Sequence, residues 1–194
     1  EQEQVTGYSP DILSEEASKF IRAHRAEPFF LYLPFIEPHF HIEAPEEDVA
    51  LYRGKFKEKD PSKPLNATYA AMIHRMDAGI GRVLKTLDET GLAGNTLVVF
   101  TSDNGATFEA GNQGTANYHD SNGPFRGQKR SLEEGGIRMP AVVRWPGRVP
   151  AARVSEEVVH MIDVMPSLAA AAGAPVDPNW RVDGVSMLDV WAGR

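Results

Sequence analysis

One stretch, from Thr96 to Pro140, limits what this chain can fold into. It begins with Leu97-Val98-Val99-Phe100, a β-prone apolar run without polar alternation. A run this short and unbroken suits a parallel strand covered on both faces. It stops abruptly at Ser102-Asp103-Asn104-Gly105. In open α/β sheets, ligands bind just beyond the carboxyl ends of the strands. A carboxylate and an amide carbonyl at that point are two hard oxygen donors, of the kind that Ca²⁺ or Mg²⁺ takes. Asp, Asn and Gly are also ordinary turn formers, so these residues alone read first as a plain strand-to-loop turn. Gly105 allows the sharp bend in either case.

The residues that follow carry more. Arg126-Gly127-Gln128-Lys129 comes next, then Glu134-Gly135-Gly136-Ile137-Arg138-Met139-Pro140, then the run Ala141 to Trp145 closing in Pro146-Gly147. In this order the motifs resemble the sulfatase family, where a strand ending in Ser-Asp-Asn-Gly precedes Arg-Gly-x-Lys, Glu-Gly-Gly-Ile-Arg-x-Pro and a strand closing in Trp-Pro-Gly. The resemblance implies hydrolysis of sulfate esters at a site holding one divalent cation, calcium rather than magnesium. It implies that Asp103 and Asn104 are metal ligands, that Lys129 contacts the sulfate, and that Arg126, inside the same motif, touches substrate. A cation and an ammonium together neutralise charge on the sulfuryl oxygens as the S–O bond breaks. The family also implies a periplasmic, extracellular or lysosomal setting and a sulfated glycan or aryl sulfate as substrate.

Upstream, the apolar spacing of Ile12, Leu13, Phe20 and Ile21 predicts a helix from Ser9 to Glu27, with His24 at its end. Pro28 to Phe35 reads as a second buried strand. Beyond it lie His39 and His41; without cysteine or a third histidine nearby, they read either as ligands or as hydrogen-bonded structural residues. The resemblance assigns His39, in Pro38-His39, to the sulfate-contacting histidine, able to protonate the leaving oxygen. His41 stands where the family commonly has proline, and either adds a substrate contact or fills space. Residues 46–64 are charged and read as a solvated excursion. Tyr69, Ile73, Met76, Ile80, Val83 and Leu87 form one stripe of a long helix from Asn66 to Thr90. The Asn66-Ala67-Thr68 sequon is too short to mean much alone. The loop 106–128 offers His119 and Asp120 as further substrate contacts, or as solvated loop residues. Glu134 and Arg138 are expected to support the Lys129 loop, and His160 and Asp163 to pack and cap a helix over 165–172.

Strands near 29–34, 97–102 and 141–145 alternating with these helices predict an α/β fold. Its form is three-layer, with a largely parallel, mixed sheet and helices on both faces. The resemblance makes it alkaline-phosphatase-like and incomplete: residues 1–194 read as a partial catalytic domain. The family's nucleophile, a formylglycine made from Cys or Ser in Cys/Ser-x-Pro-x-Arg, is expected in an N-terminal part, and a smaller C-terminal subdomain is also missing. There is no cysteine, and the one Ser-x-Pro, Ser62-Lys63-Pro64, lacks the arginine. Two oxygen ligands make a poor calcium site, since calcium takes about six to eight, so the isolated chain is expected to bind metal weakly and to be inactive. The net charge of -7 argues against nonspecific nucleic-acid binding, and no apolar run is long enough to span a membrane. Oligomeric state is not legible. Two alternatives stand beside the sulfatase: a phosphodiester or phosphonate monoester hydrolase of the same superfamily, and a non-catalytic sulfatase-like binding module.

Overall fold

The computed structural model describes residues 5–194, which fall into two compact units. The first combines the chain up to Gly91 with Asn104–Arg138; the second combines Leu92–Asp103 with Met139–Arg194.

In the first unit α1 (Ser9–Ala23), α2 (Glu46–Tyr52) and α3 (Leu65–Glu89) are followed by the single-turn helices α4 (Thr115–Tyr118) and α5 (Glu134–Ile137). Pro10 and Asp11 in the first turn of α1 and Arg22 in its last suit the two ends of a helix. The helix stops before Glu27 because His24 leaves helical geometry and caps it, its N–H donating to Phe20 O. The apolar stripe of α3 predicts its buried face, yet only Tyr69 and Leu87 of that stripe are fully buried, and Ile73 is 37% exposed. Part of the α1–α3 contact uses small residues instead. A Cβ on Gly79 would lie 3.3 Å from Ser14 Cβ of α1. Ser18 Oγ donates to Ser14 O at 2.7 Å, and Thr86 Oγ1 donates to Ser18 Oγ at 3.1 Å. Small side chains let the backbones approach, and the pairing of each hydroxyl removes the penalty of burying it.

Residues 46–64, expected as a solvated excursion, contain α2. Its start was readable: Pro45 followed by Glu46-Glu47-Asp48 is a helix-opening pattern. The helix carries Val49 into a cluster with Ala67 and Ala71, and brings Asp48 to Arg75 of α3. Arg75 Nε and Nη2 donate to Asp11 at 2.9 and 2.8 Å, and Nη1 donates to Asp48 at 3.2 Å. One guanidinium thus ties all three helices together. Proline at the cap of α3 offers no side-chain acceptor, so Glu58 supplies one from outside, accepting from Asn66 N at 3.0 Å and Ala67 N at 2.9 Å. Asn66 is buried and its Nδ2 donates to Lys57 O at 2.8 Å. The sequon nitrogen is therefore committed to the fold.

In the second unit β1 (Val98–Thr101) pairs antiparallel with β2 (Ala141–Arg144), Val98 opposite Arg144 and Thr101 opposite Ala141. Both strands fall where the apolar runs predict them. Among the described residues this is the only ladder, so the largely parallel three-layer sheet is not formed by them. Residues 28–35, expected as a buried strand, are extended but belong to no ladder. Their sides still alternate, with Phe30 and Tyr32 exposed and Phe29, Leu31 and Leu33 half-buried, which is strand periodicity without a hydrogen-bonded neighbour. With one partner each, β1 and β2 also remain partly open; Phe100 is 38% and Val142 58% exposed. Helices α6 (Val164–Ala172) and α7 (Leu188–Trp191) complete this unit. Asp163 accepts from His160 N at 2.8 Å and Val185 N at 2.9 Å. The Val185 and His160 amides hold its carboxyl below the usual carboxylate range. His160 and Asp163 form a capping box, the structural role the sequence suggests.

Replacing Arg75 tests the three-helix tie. Arg75→Met leaves Asp11 without a counter-charge and the buried Asp48 with only His74 Nε2 at 4.0 Å, and we expect a loss of about 2 kcal/mol, less than for a fully buried pair because the site is partly exposed. Urea unfolding of the variant beside the parent measures it; an unchanged midpoint would show that the pairing contributes nothing.

Candidate active site

The turn after β1 and the Lys129 loop are joined by backbone bonds. Gly105 N donates to Gly136 O at 3.0 Å, and Lys129 N donates to Ala106 O at 2.9 Å. The segment beginning at Asn104 therefore runs alongside the Lys129 loop within one unit. The approach requires glycine at 105, and the folding of the Lys129 loop on itself requires it at 135 and 136. A Cβ on Gly105 would overlap Gly135 O, a Cβ on Gly135 would overlap Gly127 O, and a Cβ on Gly136 would overlap Ser131 O. The Glu-Gly-Gly motif is a contact surface, not merely a flexible one. Gly135 N closes the loop on itself by donating to Arg126 O at 2.7 Å.

Charges around Lys129 are arranged in pairs. Arg126 meets Glu133 at 2.7 Å, Arg130 meets Glu109 at 3.1 Å, and Arg138 meets Glu134 at 3.0 Å. Lys129 takes no part in these pairs, and it is half-buried. Arg126, the expected substrate contact, has a side chain 89% exposed and is held by Glu133. Arg138 also lies over the Phe125 ring, 4.7 Å from its centroid, so Glu134 and Arg138 brace the loop as expected. Asn104 Nδ2 donates to Gly105 O at 2.9 Å, which turns the amide oxygen away from that carbonyl. Asp103 precedes it in the chain, at the end of the first segment of the strand-bearing unit. The pair offers hard oxygen donors that fit part of a Ca²⁺ or Mg²⁺ shell, and no cluster of three or more His, Cys, Asp or Glu able to hold a metal occurs among the described residues.

On the other loop of the same unit, His39 Nδ1 contacts Phe40 O at 2.9 Å. A carbonyl only accepts, so Nδ1 carries a hydrogen and Nε2 is left for proton exchange. Phe40 also packs under Gly111, where a Cβ would come within 2.8 Å of the ring. His39 and His41 border an open cleft of about 220 Å³ that Tyr8, Glu37 and Met72 also line. His41 is exposed and edge-on to Phe40, so it does not fill space. His119 does: it stacks on Tyr69 at 5.2 Å, meets Phe56 edge-on at 4.9 Å, and its Nε2 lies 3.1 Å from Asn66 O. That anchors α4 to α3, so the solvated-loop reading does not describe it. Asp120 stands in a left-handed turn.

Glu37, which the sequence did not single out, has one carboxylate oxygen, Oε2, buried with no hydrogen-bond partner among the described residues. Burial raises its carboxyl above the usual range, against the opposing pull of its own amide, the Ile36 amide and the Ser9 hydroxyl. A carboxyl raised on folding disfavours the folded state once pH passes the unfolded value, about 4.3. Glu37→Gln is therefore expected to raise Tm at neutral pH and to leave it unchanged below about pH 4. A thermal melt at each pH checks this; equal melting at neutral pH would contradict it.

The Sulfatase family model matches residues 1–174, and the chain belongs to the sulfatase family. It is 38% identical over 182 residues to mouse steryl-sulfatase, covering 93% of this chain and 27% of the relative. It is 33% identical over 188 residues to an N-acetylgalactosamine-6-O-sulfatase of Bacteroides thetaiotaomicron, covering 95% of this chain and 34% of the relative. The crystal structure of Ps i-CgsB in complex with k-i-k-neocarrahexaose superposes with a TM-score of 0.86 at 34% identity, over 100% of this chain and 40% of that one. The chain thus spans about a third of the length of these curated relatives, and its fold is that of part of a sulfatase.

Proposed function

We propose that these residues are the later part of a sulfatase catalytic domain and supply one flank of its active site, where a sulfate ester is hydrolysed to alcohol and sulfate. The observation that carries this reading is the backbone union of the Asn104 segment with the Lys129 loop, which roots an amide oxygen and an ammonium outside the loop's arginine–glutamate pairs in one frame of main-chain bonds. In this reading Asp103 and Asn104 hold a divalent cation, calcium by family. When bound, the cation supplies Lewis-acid neutralisation of the sulfuryl oxygens. The Lys129 ammonium binds the sulfate and offsets the charge that gathers on it. His39 delivers the proton on Nε2 to the departing alkoxide while Phe40 O keeps its ring oriented. Arg126 gives up Glu133 to reach an anionic substrate.

The nucleophile belongs to the part of the catalytic domain outside these residues. There is no cysteine, and Ser62 is occupied locally, its Oγ donating to Asp60 at 2.7 Å. The remaining strands of a three-layer, largely parallel sheet belong there too. The substrate we propose is a sulfated carbohydrate. In support, one relative is an N-acetylgalactosamine-6-O-sulfatase and one structural neighbour was crystallised with an oligosaccharide. No helix among the described residues is long and apolar enough to cross a membrane.

The test uses the full-length protein with p-nitrophenyl sulfate and, separately, an aryl phosphonate monoester. We expect turnover of the sulfate ester and a loss of roughly 10²–10³ in kcat/KM for Lys129→Ala, the scale of removing one charge-stabilising donor. Preferred turnover of the phosphonate would replace the sulfatase reading with the phosphonate hydrolase one, and full activity in the lysine variant would remove Lys129 from the mechanism.

A further inference from the structure

One side chain in the 106–128 loop bonds to both halves of the frame just described. Asn122 Oδ1 accepts from Ala106 N at 3.1 Å, and its Nδ2 donates to Gly127 O at 2.6 Å. Ala106 is two residues from Asn104, and Gly127 is two residues from Lys129. Space for the amide is made by Gly135, on which a Cβ would lie 2.8 Å from Asn122 Nδ2. A primary amide accepts and donates from a single flat group, and glutamine would need room for another methylene. The bond from Lys129 N to Ala106 O crosses between the same two segments. Asn122 therefore bridges the same two segments through its side chain.

We propose that Asn122 is a positioning residue: its amide sets the separation between the Asn104 oxygen and the Lys129 ammonium, and so the spacing of cation and sulfate. The proposal rests on the sulfatase reading of Asn104 and Lys129, but part of its test does not require activity. Removing the amide leaves Ala106 N–H and Gly127 O without partners and lets the two segments drift, and a drift of about 1 Å in a reacting group is worth roughly 100-fold in rate. Aspartate is the diagnostic replacement. As the neutral acid it reproduces both bonds, accepting from Ala106 N and donating to Gly127 O. Ionised, it turns a carboxylate oxygen against the Gly127 carbonyl, where two acceptors repel.

The experiment compares full-length parent, Asn122→Ala and Asn122→Asp. Calcium affinity is measured by titration calorimetry, and p-nitrophenyl sulfate hydrolysis from about pH 4.5 to pH 8, bracketing where such a carboxyl ionises. Thermal melts confirm that each variant is folded at the assay temperature. The titratable and charged groups on the surrounding segments are Asp103, Glu109, His119, Asp120, Arg126, Lys129, Arg130, Glu133, Glu134 and Arg138, and each variant's rate is taken relative to the parent at the same pH to offset their titration. We expect Asn122→Ala to weaken calcium binding by about tenfold or more, as for a residue that orients a ligand. We expect its kcat to fall by roughly 100-fold at every pH with little change in KM. Asn122→Asp should match the alanine variant at about pH 8 and approach the parent as its carboxyl protonates. Unchanged calcium affinity in a folded Asn122→Ala would overturn the proposal, as would an aspartate variant that tracks alanine at all pH values. A parent that binds calcium through an Asn122-dependent site yet leaves sulfate esters intact would sink the sulfatase reading and keep the positioning role.

Discussion

Backbone meeting backbone between the Asn104 segment and the Lys129 loop is the constraint on which the candidate site depends. Gly105 bonds to Gly136, Lys129 bonds to Ala106, and Gly105 permits an approach that a Cβ there would block. Charged side chains on flexible stems define a position poorly, because holding them costs rotamer entropy. Here the stems are rooted in a frame of main-chain bonds, and the surrounding arginines are neutralised by Glu109, Glu133 and Glu134. Lys129 is thereby left as the cation of that loop without a carboxylate in those pairs. The Arg75 tie among α1, α2 and α3 plays the corresponding part for the helical body that bears the His39 loop.

What the sequence disclosed divides along physical lines. Strands β1 and β2 and helix α3 were legible because apolar runs and helical spacing are local signals, and their bounds moved by only a residue or so. Part of the contact of α3 with α1 was not legible, because Gly79, Ser14, Ser18 and Thr86 pack through smallness and hydroxyl pairing, which hydropathy does not register. Helix α2 was hidden by its charge, although Pro45 and three acidic residues marked its start. The sheet was over-read. The run at 28–35 has strand character, but a ladder needs a partner, and the chain spans about a third of its curated relatives.

The site was legible to the extent that it is written in motifs. Asp103, Asn104, Arg126, Lys129 and His39 sit in short ordered patterns, and the structure brings Asn104 and the Lys129 loop together through main-chain bonds. Glu37 and Asn122 were missed because neither belongs to a spacing rule. One is a carboxylate whose buried oxygen lacks a hydrogen-bond partner among the described residues, and the other is an amide bridging residues far apart in the loop. His119 shows the reverse: a histidine in a promising loop is consumed by aromatic packing against Tyr69 and Phe56.

The most direct test of the central claim is a crystal structure of the full-length protein with Ca²⁺ and sulfate bound. The account predicts the cation on the Asp103 carboxylate and the Asn104 amide oxygen, with Lys129 Nζ and His39 on the sulfate and the Gly105–Gly136 bond intact. A cation bound elsewhere, or a sulfate out of reach of Lys129, would contradict it.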